Sequence, residues 1–273
     1  MKTKYIIDAH CHLSYWSTLK ECEENLLSSA KKYKINYSLI SFCAFEFADE
    51  NDNRTRLVQQ IIGFNKAAEF VRKYPKQYGM LCWIRPHTET NLKEVENFII
   101  NNRSIIYGLK IHPYASRIKL IDPLLVPYFK LAEKFNLPIL VHTATDKYSK
   151  IKYLAEVAKE WPHLNFIAAH AELLSNHKEC MKYMLMYKNI FCDTAWVDIQ
   201  TAMEFIKNGL SDRIIFGTDN PIDGVDTLAN PMYQDYFSNR SRLSRTLFEN
   251  LMRNNAISFF RLPLTPNQAP ILK

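Results

Sequence analysis

Tyr5-Ile6-Ile7-Asp8-Ala9-His10-Cys11-His12 is a short apolar run that ends in side chains able to bind a metal. The same plan returns along the chain. Gly108-Leu109-Lys110-Ile111-His112-Pro113, Leu140-Val141-His142-Thr143, Ala168-Ala169-His170-Ala171 and Phe216-Gly217-Thr218-Asp219 each close an apolar run with polar residues. Working outward from these, strands are predicted over 5–8, 37–42, 79–84, 105–111, 139–141, 165–168, 190–192 and 213–216. Their spacing, about thirty residues, is that of one βα unit. The runs are apolar on both faces, as parallel strands covered by helices must be.

The intervening segments carry helix signals. Thr18-x-x-Glu21 is a capping-box pattern, followed by Leu19, Cys22, Leu26, Ala30 and Tyr33 at helical spacing. Asp122-Pro123 places an N-cap before a proline at the first helical position, and Asn136-Leu137-Pro138 ends that segment. Pro127, early in the same helix, should distort its first turns. Strands alternating with helices predict an α/β fold, a closed (β/α)8 TIM barrel over residues 1–262, with a Pro-rich surface tail over 263–273. An open doubly wound sheet is the alternative, but a Gly-rich phosphate loop after the first strand is missing and the chain has 6 glycines in all.

Bulk properties narrow the function. The 273 residues are 47% hydrophobic and 23% charged, ordinary for a globular domain, with a formal net charge of +7. Lys and Arg are scattered over helical stretches, so the charge reads as solvated helix faces and no nucleic acid is expected as partner. The 6 cysteines form no C-x-x-C pair, which suits a reducing compartment. The N-terminus has no apolar leader segment, and no apolar run approaches the ~20 residues of a membrane span. A cytoplasmic protein that acts on a small molecule, away from membranes, is expected.

In a barrel the C-terminal ends of all strands meet on one face, so these separated motifs converge. Side chains at i and i+2 of a strand point the same way, which sends His10 and His12 into the mouth together. Imidazoles with a carboxylate suit a divalent metal, Zn²⁺ being the default. Alone, each feature has a bland reading: a chance His-x-His, a hydrogen-bonded core histidine, a Gly-Thr-Asp turn. Their joint occurrence at the same end of different strands is what the bland reading must explain.

The ordered series His-x-His, Lys, His, His, Asp on strands one, four, five, six and eight resembles the amidohydrolase superfamily. Asp8-Ala-His-Cys-His12, Gly108-Leu-Lys-Ile-His-Pro113 and Gly217-Thr-Asp-Asn-Pro221 are similar to its amidohydrolase-related branch of small hydrolases and non-oxidative decarboxylases. The likeness spans nearly the whole chain and is specific for the superfamily rather than for a substrate. It implies that His10, His12 and Asp219 bind one metal and that His142 and His170 bind a second in two-metal members. In one-metal members His142 joins the single ion, and His170 polarises the substrate or orients water. Lys110 stands where some relatives carry a carboxylated lysine bridging two ions. Its alternatives are an ion pair with Asp8 or Asp193, or an anchor for a substrate anion. His112, two residues on, competes with Lys110 as the functional residue of strand four and is itself a candidate for binding substrate.

The implied chemistry is hydrolysis by a metal-activated water, with Asp219 taking and returning the proton and His170 or the metal stabilising the oxyanion. Substrate-facing candidates are Tyr15 and Trp16 after strand one, Arg85 and His87 after strand three, Tyr114 and Arg117 after strand four, and Trp196 after strand seven. The stretch 220–239 is long for a βα loop and could act as a lid or as the contact of a homodimer. Cleavage of an amide, lactone or other ester leads. A metal-dependent decarboxylase of an aromatic or unsaturated acid is the alternative, ahead of a phosphoester hydrolase or a non-enzymatic binding barrel. Nuclease relatives usually carry Glu on strand four, where this chain offers Lys110 and His112.

Overall fold

In a computed structural model, the protein is described over residues 5–14, 18–43, 59–88, 91–222, 225–238 and 243–264. Tyr15 and Trp16, and tail residues 265–273, lie outside the described residues. Eight strands follow one another around a single sheet: β1 (Ile7–Ser14), β2 (Tyr37–Cys43), β3 (Tyr78–Ile84), β4 (Ile106–Ile111), β5 (Ile139–Ala144), β6 (Phe166–Leu173), β7 (Ile190–Asp193) and β8 (Ile214–Ile215). Every neighbouring pair is parallel. The ring closes where the chain leaves β8 along β1: Ala9 N donates to Phe216 O (3.0 Å), Asp219 N to His10 O (2.7 Å) and His12 N to Asn220 O (2.9 Å). This is the closed barrel, and it excludes the open sheet.

The helices α1 (Leu19–Tyr33), α2 (Gln60–Lys73), α3 (Leu92–Asn101), α4 (Pro113–Ser116), α5 (Val126–Phe135), α6 (Ile151–Glu160), α7 (Lys178–Met186) and α8 (Ile199–Phe205) alternate with the strands. After β8 come α9 (Pro231–Phe237), α10 (Arg245–Glu249) and α11 (Asn255–Phe260). The capping box at α1 is formed in full, with Thr18 accepting from Glu21 N and Glu21 accepting from Thr18 N. Asp122 caps a 3-10 turn, Pro123–Leu125, and α5 begins one residue before Pro127. The proline is thereby placed in the first turn, where a missing N–H breaks no helical bond.

Alternation along the strands divides the core. Leu39, Leu81, Leu140, Ile167 and Ile215 face the barrel axis, and α11 closes that cluster with Phe259 and Phe260. Ile40, Met80, Cys82, Leu109, Val141 and Ala168 face the helices. Gly217 marks the tightest approach beside the closure. A Cβ there would lie 2.9 Å from His10 Cβ and 3.3 Å from Asp193 Cβ.

Candidate active site at the barrel mouth

Two departures from regular strand geometry bring the histidines inward. Ile7 and Ala9 of β1 belong to the axial cluster, so strict alternation would turn His10 and His12 outward. The register of β1 on β2 shifts between Asp8 and Cys11, and the extra residue re-aims both imidazoles into the mouth, the usual effect of a bulge. On β6, Ala169 faces the axis, so His170 should face the helices. Instead His170, Ala171 and Glu172 take left-handed backbone angles (φ 65°, 45° and 71°). Thr143 Oγ1 stabilises this turn by donating to Ala169 O (2.6 Å) and accepting from Glu172 N (2.9 Å). Strain of this kind is rare outside glycine and concentrates at functional sites.

Asp193 at the end of β7 organises the floor. Its Oδ1 accepts from the backbone N–H of His170 (2.8 Å) and Ala195 (3.2 Å), and its Oδ2 lies 2.8 Å from His10 Nδ1. A carboxylate only accepts, so the His10 proton sits on Nδ1 and Nε2 presents a lone pair. That Nε2 faces Lys110 Nζ (2.8 Å), His12 Nε2 (3.2 Å) and Asp219 Oδ1 (3.2 Å). Asp219 Oδ1 is 2.8 Å from His12 Nε2, while Oδ2 accepts from Trp196 Nε1 (3.0 Å). Trp196 is itself tied back, since its N–H donates to Tyr233 Oη (2.9 Å), which donates to Thr218 O (2.9 Å).

A second chain of hydrogen bonds sets the other two histidines. His170 Nδ1 meets Ala195 O (3.2 Å), so it carries the proton and leaves Nε2 as acceptor. His142 Nδ1, 3.1 Å from that Nε2, must then donate, and His142 Nε2 keeps its lone pair.

Burial lowers the His10, His112 and His142 imidazoles well below their ordinary value, and His170 to about 4, so all four are neutral. Burial also draws the Lys110 ammonium down to about 8, against the attraction of Asp219 and Asp193. It raises Asp8, which holds Thr218 and the His10 N–H, to about 7, and Asp193 to about 6. For Asp219 burial is outweighed by His10 and His12, and the carboxyl stays well below its usual range as an anion.

The donor set fits a divalent cation. Among the described residues, His10, His12 and Asp219 bring one ligand atom each within 4.8 Å of one another, as do His10, His170 and Asp193. The first group is the better cradle. Asp193 already spends both oxygens on N–H donors, which makes it the outer carboxylate that orients a ligating histidine. The anionic Asp219 oxygen and the His10 lone pair, which Lys110 Nζ meets here, make this a point that favours positive charge.

A cavity of about 670 Å³ opens above this floor, within the range of small-molecule sites. His12, Lys110, His112, Tyr114, His142, Trp196 and Asp219 line it, with Trp83, Leu173 and Ile222 among its apolar walls. His10 and His170 lie beneath as fully buried supports. Lys110 bonds His10 rather than Asp8 or Asp193, whose oxygens are occupied elsewhere. Arg85 is not among the lining residues; its guanidinium donates to Phe42 O (2.9 Å) and rests near the Trp83 ring. His87 bonds Ser116 O, and Arg117 covers Tyr114 at the rim. Tyr233 and Tyr236 of α9 are buried and bonded to main-chain carbonyls, which ties this helix to the barrel, and none of its residues lines the cavity. Asp193, Trp83 and Thr143 are site residues that sequence reasoning missed as such. For Asp193 the signal was present, a carboxylate one residue past an apolar strand.

A family model described as amidohydrolase matches residues 7–262. No curated protein matches the chain in sequence. Among solved structures, the chain is similar to the 5-carboxyvanillate decarboxylase of Novosphingobium aromaticivorans DSM 12444, complexed with manganese and 4-hydroxy-3-methoxy-5-nitrobenzoic acid. That pair is 12% identical with a TM-score of 0.68, covering 94% of this chain and 96% of that one. A putative amidohydrolase from Staphylococcus aureus is 14% identical with a TM-score of 0.68, covering 94% and 100%. A probable 2-pyrone-4,6-dicarboxylic acid hydrolase from Acinetobacter baumannii, with citric acid bound, is 12% identical with a TM-score of 0.64, covering 94% and 99%.

Proposed function

The chain belongs to the amidohydrolase family, and from that premise we propose that it is a metal-dependent hydrolase cleaving an amide, lactone or other ester bond of a small molecule. The observation that carries this reading is Asp219. An anionic carboxylate beside the Nε2 atoms of two imidazoles, on the wall of a cavity, is what a water-activating site requires. His10, His12 and Asp219 would hold a divalent ion, with His142 Nε2 as the next donor. The imidazole-rich set suits Zn²⁺, while the decarboxylase relative holds manganese. When bound, such an ion supplies Lewis-acid polarisation and brings the pKa of water to about 7.

The chain's own residues do the rest. Trp196 holds the Asp219 carboxylate in place through Oδ2, and that carboxylate would receive the proton of the attacking water and return it to the leaving group. His170, neutral and fixed through Ala195, keeps His142 in the tautomer that faces the cavity. Trp83, Leu173 and Ile222 keep the reacting end dry. All 6 cysteines are free, in keeping with a cytoplasmic setting, and among the described residues no helix is long and apolar enough to cross a membrane.

A decarboxylase of an aromatic or unsaturated acid is the second reading, because the best donor group, His10, His12 and Asp219, serves one ion. The test starts with elemental analysis of protein purified without added metal, followed by assays with p-nitrophenyl acetate, dihydrocoumarin and 4-hydroxybenzoate. Hydrolysis of either ester, lost by about 10²-fold or more in Asp219→Asn and His10→Ala at unchanged circular dichroism, is expected. Loss of CO₂ from the acid without ester cleavage would establish the second reading.

A further inference from the structure

His112 has no role in the proton path above, yet its ring is held on both faces and at one nitrogen. It follows β4 directly, between Trp83 of β3 and His142 of β5. Its ring stacks on Trp83 (centroids 5.3 Å apart, planes at 15°) and on His142 (3.8 Å, 12°). Since β3 and β5 flank β4 on opposite sides, both faces of the imidazole are covered. One nitrogen is also spent: Nδ1 accepts from Ala115 N (3.2 Å) as the N-cap of α4.

A nitrogen that accepts a backbone N–H cannot carry a proton, so the proton of the ring is on Nε2 and the ring is uncharged. With both faces stacked and Nδ1 used, the ring meets the cavity through the edge that bears Nε2. Among the described residues this N–H has no hydrogen-bond partner, and it is not sealed from the cavity. A fixed, neutral donor edge facing the cavity is already oriented for whatever oxygen the cavity holds.

We infer that His112 Nε2–H donates to an acyl or carboxylate oxygen of the bound substrate, so that His112 is a catalytic residue holding that oxygen for attack. The inference rests on the proposed function only in taking the cavity as the substrate site. The stacked imidazoles supply the rigidity such a donor needs, because an oxyanion contact works only when prepositioned.

The test uses full-length protein labelled with ¹⁵N-histidine and loaded with Zn²⁺, with benzoate as the probe. Long-range ¹H–¹⁵N spectra between pH 6 and 8 should show His112 with a bare Nδ1 and a protonated Nε2. Benzoate should move the Nε2 proton downfield. His112→Phe keeps the stack and removes the donor, and His112→Asn keeps a cap acceptor for Ala115. Both should raise the benzoate Kd by about 10-fold or more with Zn²⁺ stoichiometry unchanged. A proton on Nδ1, or benzoate binding as tight as wild type in both variants, overturns the assignment. Failure to take up either Zn²⁺ or Mn²⁺ would instead overturn the metal-dependent reading, and the tautomer spectrum of the same sample would still decide the role of His112.

Discussion

Asp193 shows how much of this site depends on a residue that touches no cavity wall. One oxygen holds the backbone at the start of the left-handed turn, and the other decides which His10 nitrogen carries a proton. Asp193→Asn keeps the shape but can turn an amide donor toward His10 Nδ1, which favours the wrong tautomer. Mn²⁺ affinity, read by electron paramagnetic resonance, should fall about 10–100-fold while the fold persists. An unchanged affinity would reduce Asp193 to a backbone anchor. At this scale the sequence was legible where a side chain ends a strand, as at His10, His12, His142 and Asp219. It was not legible for Arg85, whose type suits an anion but whose guanidinium is absorbed by the Phe42 carbonyl. Nor could it supply the tautomers, which depend on partners up to 183 residues away.

Elements were readable in number and order, because apolar runs and helix caps are local signals. All 8 strands form within a few residues of their expected positions. What periodicity could not give were the two breaks that aim the ligands. Strict alternation puts His10 and His12 on one side, but it is the bulge in β1 that makes that side the inside. His170 enters against alternation, by a left-handed turn containing no glycine to announce it. Thr143 on β5 is the support of that turn, so Thr143→Val should expose its role. The valine fits the space but leaves the Glu172 N–H and the Ala169 carbonyl without their buried partner. A loss of about 1–3 kcal/mol is expected, visible as a lower urea midpoint. A midpoint equal to wild type would mean the turn holds itself.

Over the whole molecule, gathering neutral imidazoles makes stability depend on pH. His10, His112, His142 and His170 are all held below the unfolded value of 6.5. Below 6.5 the unfolded chain takes up protons that the folded one refuses, so their contribution is complete above that pH and is lost as pH falls toward about 4. Asp8, at about 7, Asp193, at about 6, and more weakly Glu172 act in the opposite sense, since the folded state protonates them first. The imidazoles outnumber them, so stability falls on balance as pH drops from 7 toward 5. Urea unfolding in EDTA at pH 7, 6 and 5 should give falling midpoints. A flat or rising series would show that the carboxyls win.

The closure between the first strand and the segment after the last has a further meaning during synthesis. His10 and His12 leave the ribosome long before Asp219, and Asp219 reaches them only through the same main-chain bonds that shut the ring. A cation shared by those three side chains would therefore tie together points separated by 207 residues, a loop whose closing entropy is large and already spent in the finished fold. The nascent chain has no way to assemble that three-residue cradle early, and metal loading would come late in folding, locking the first strand to the segment that follows the last.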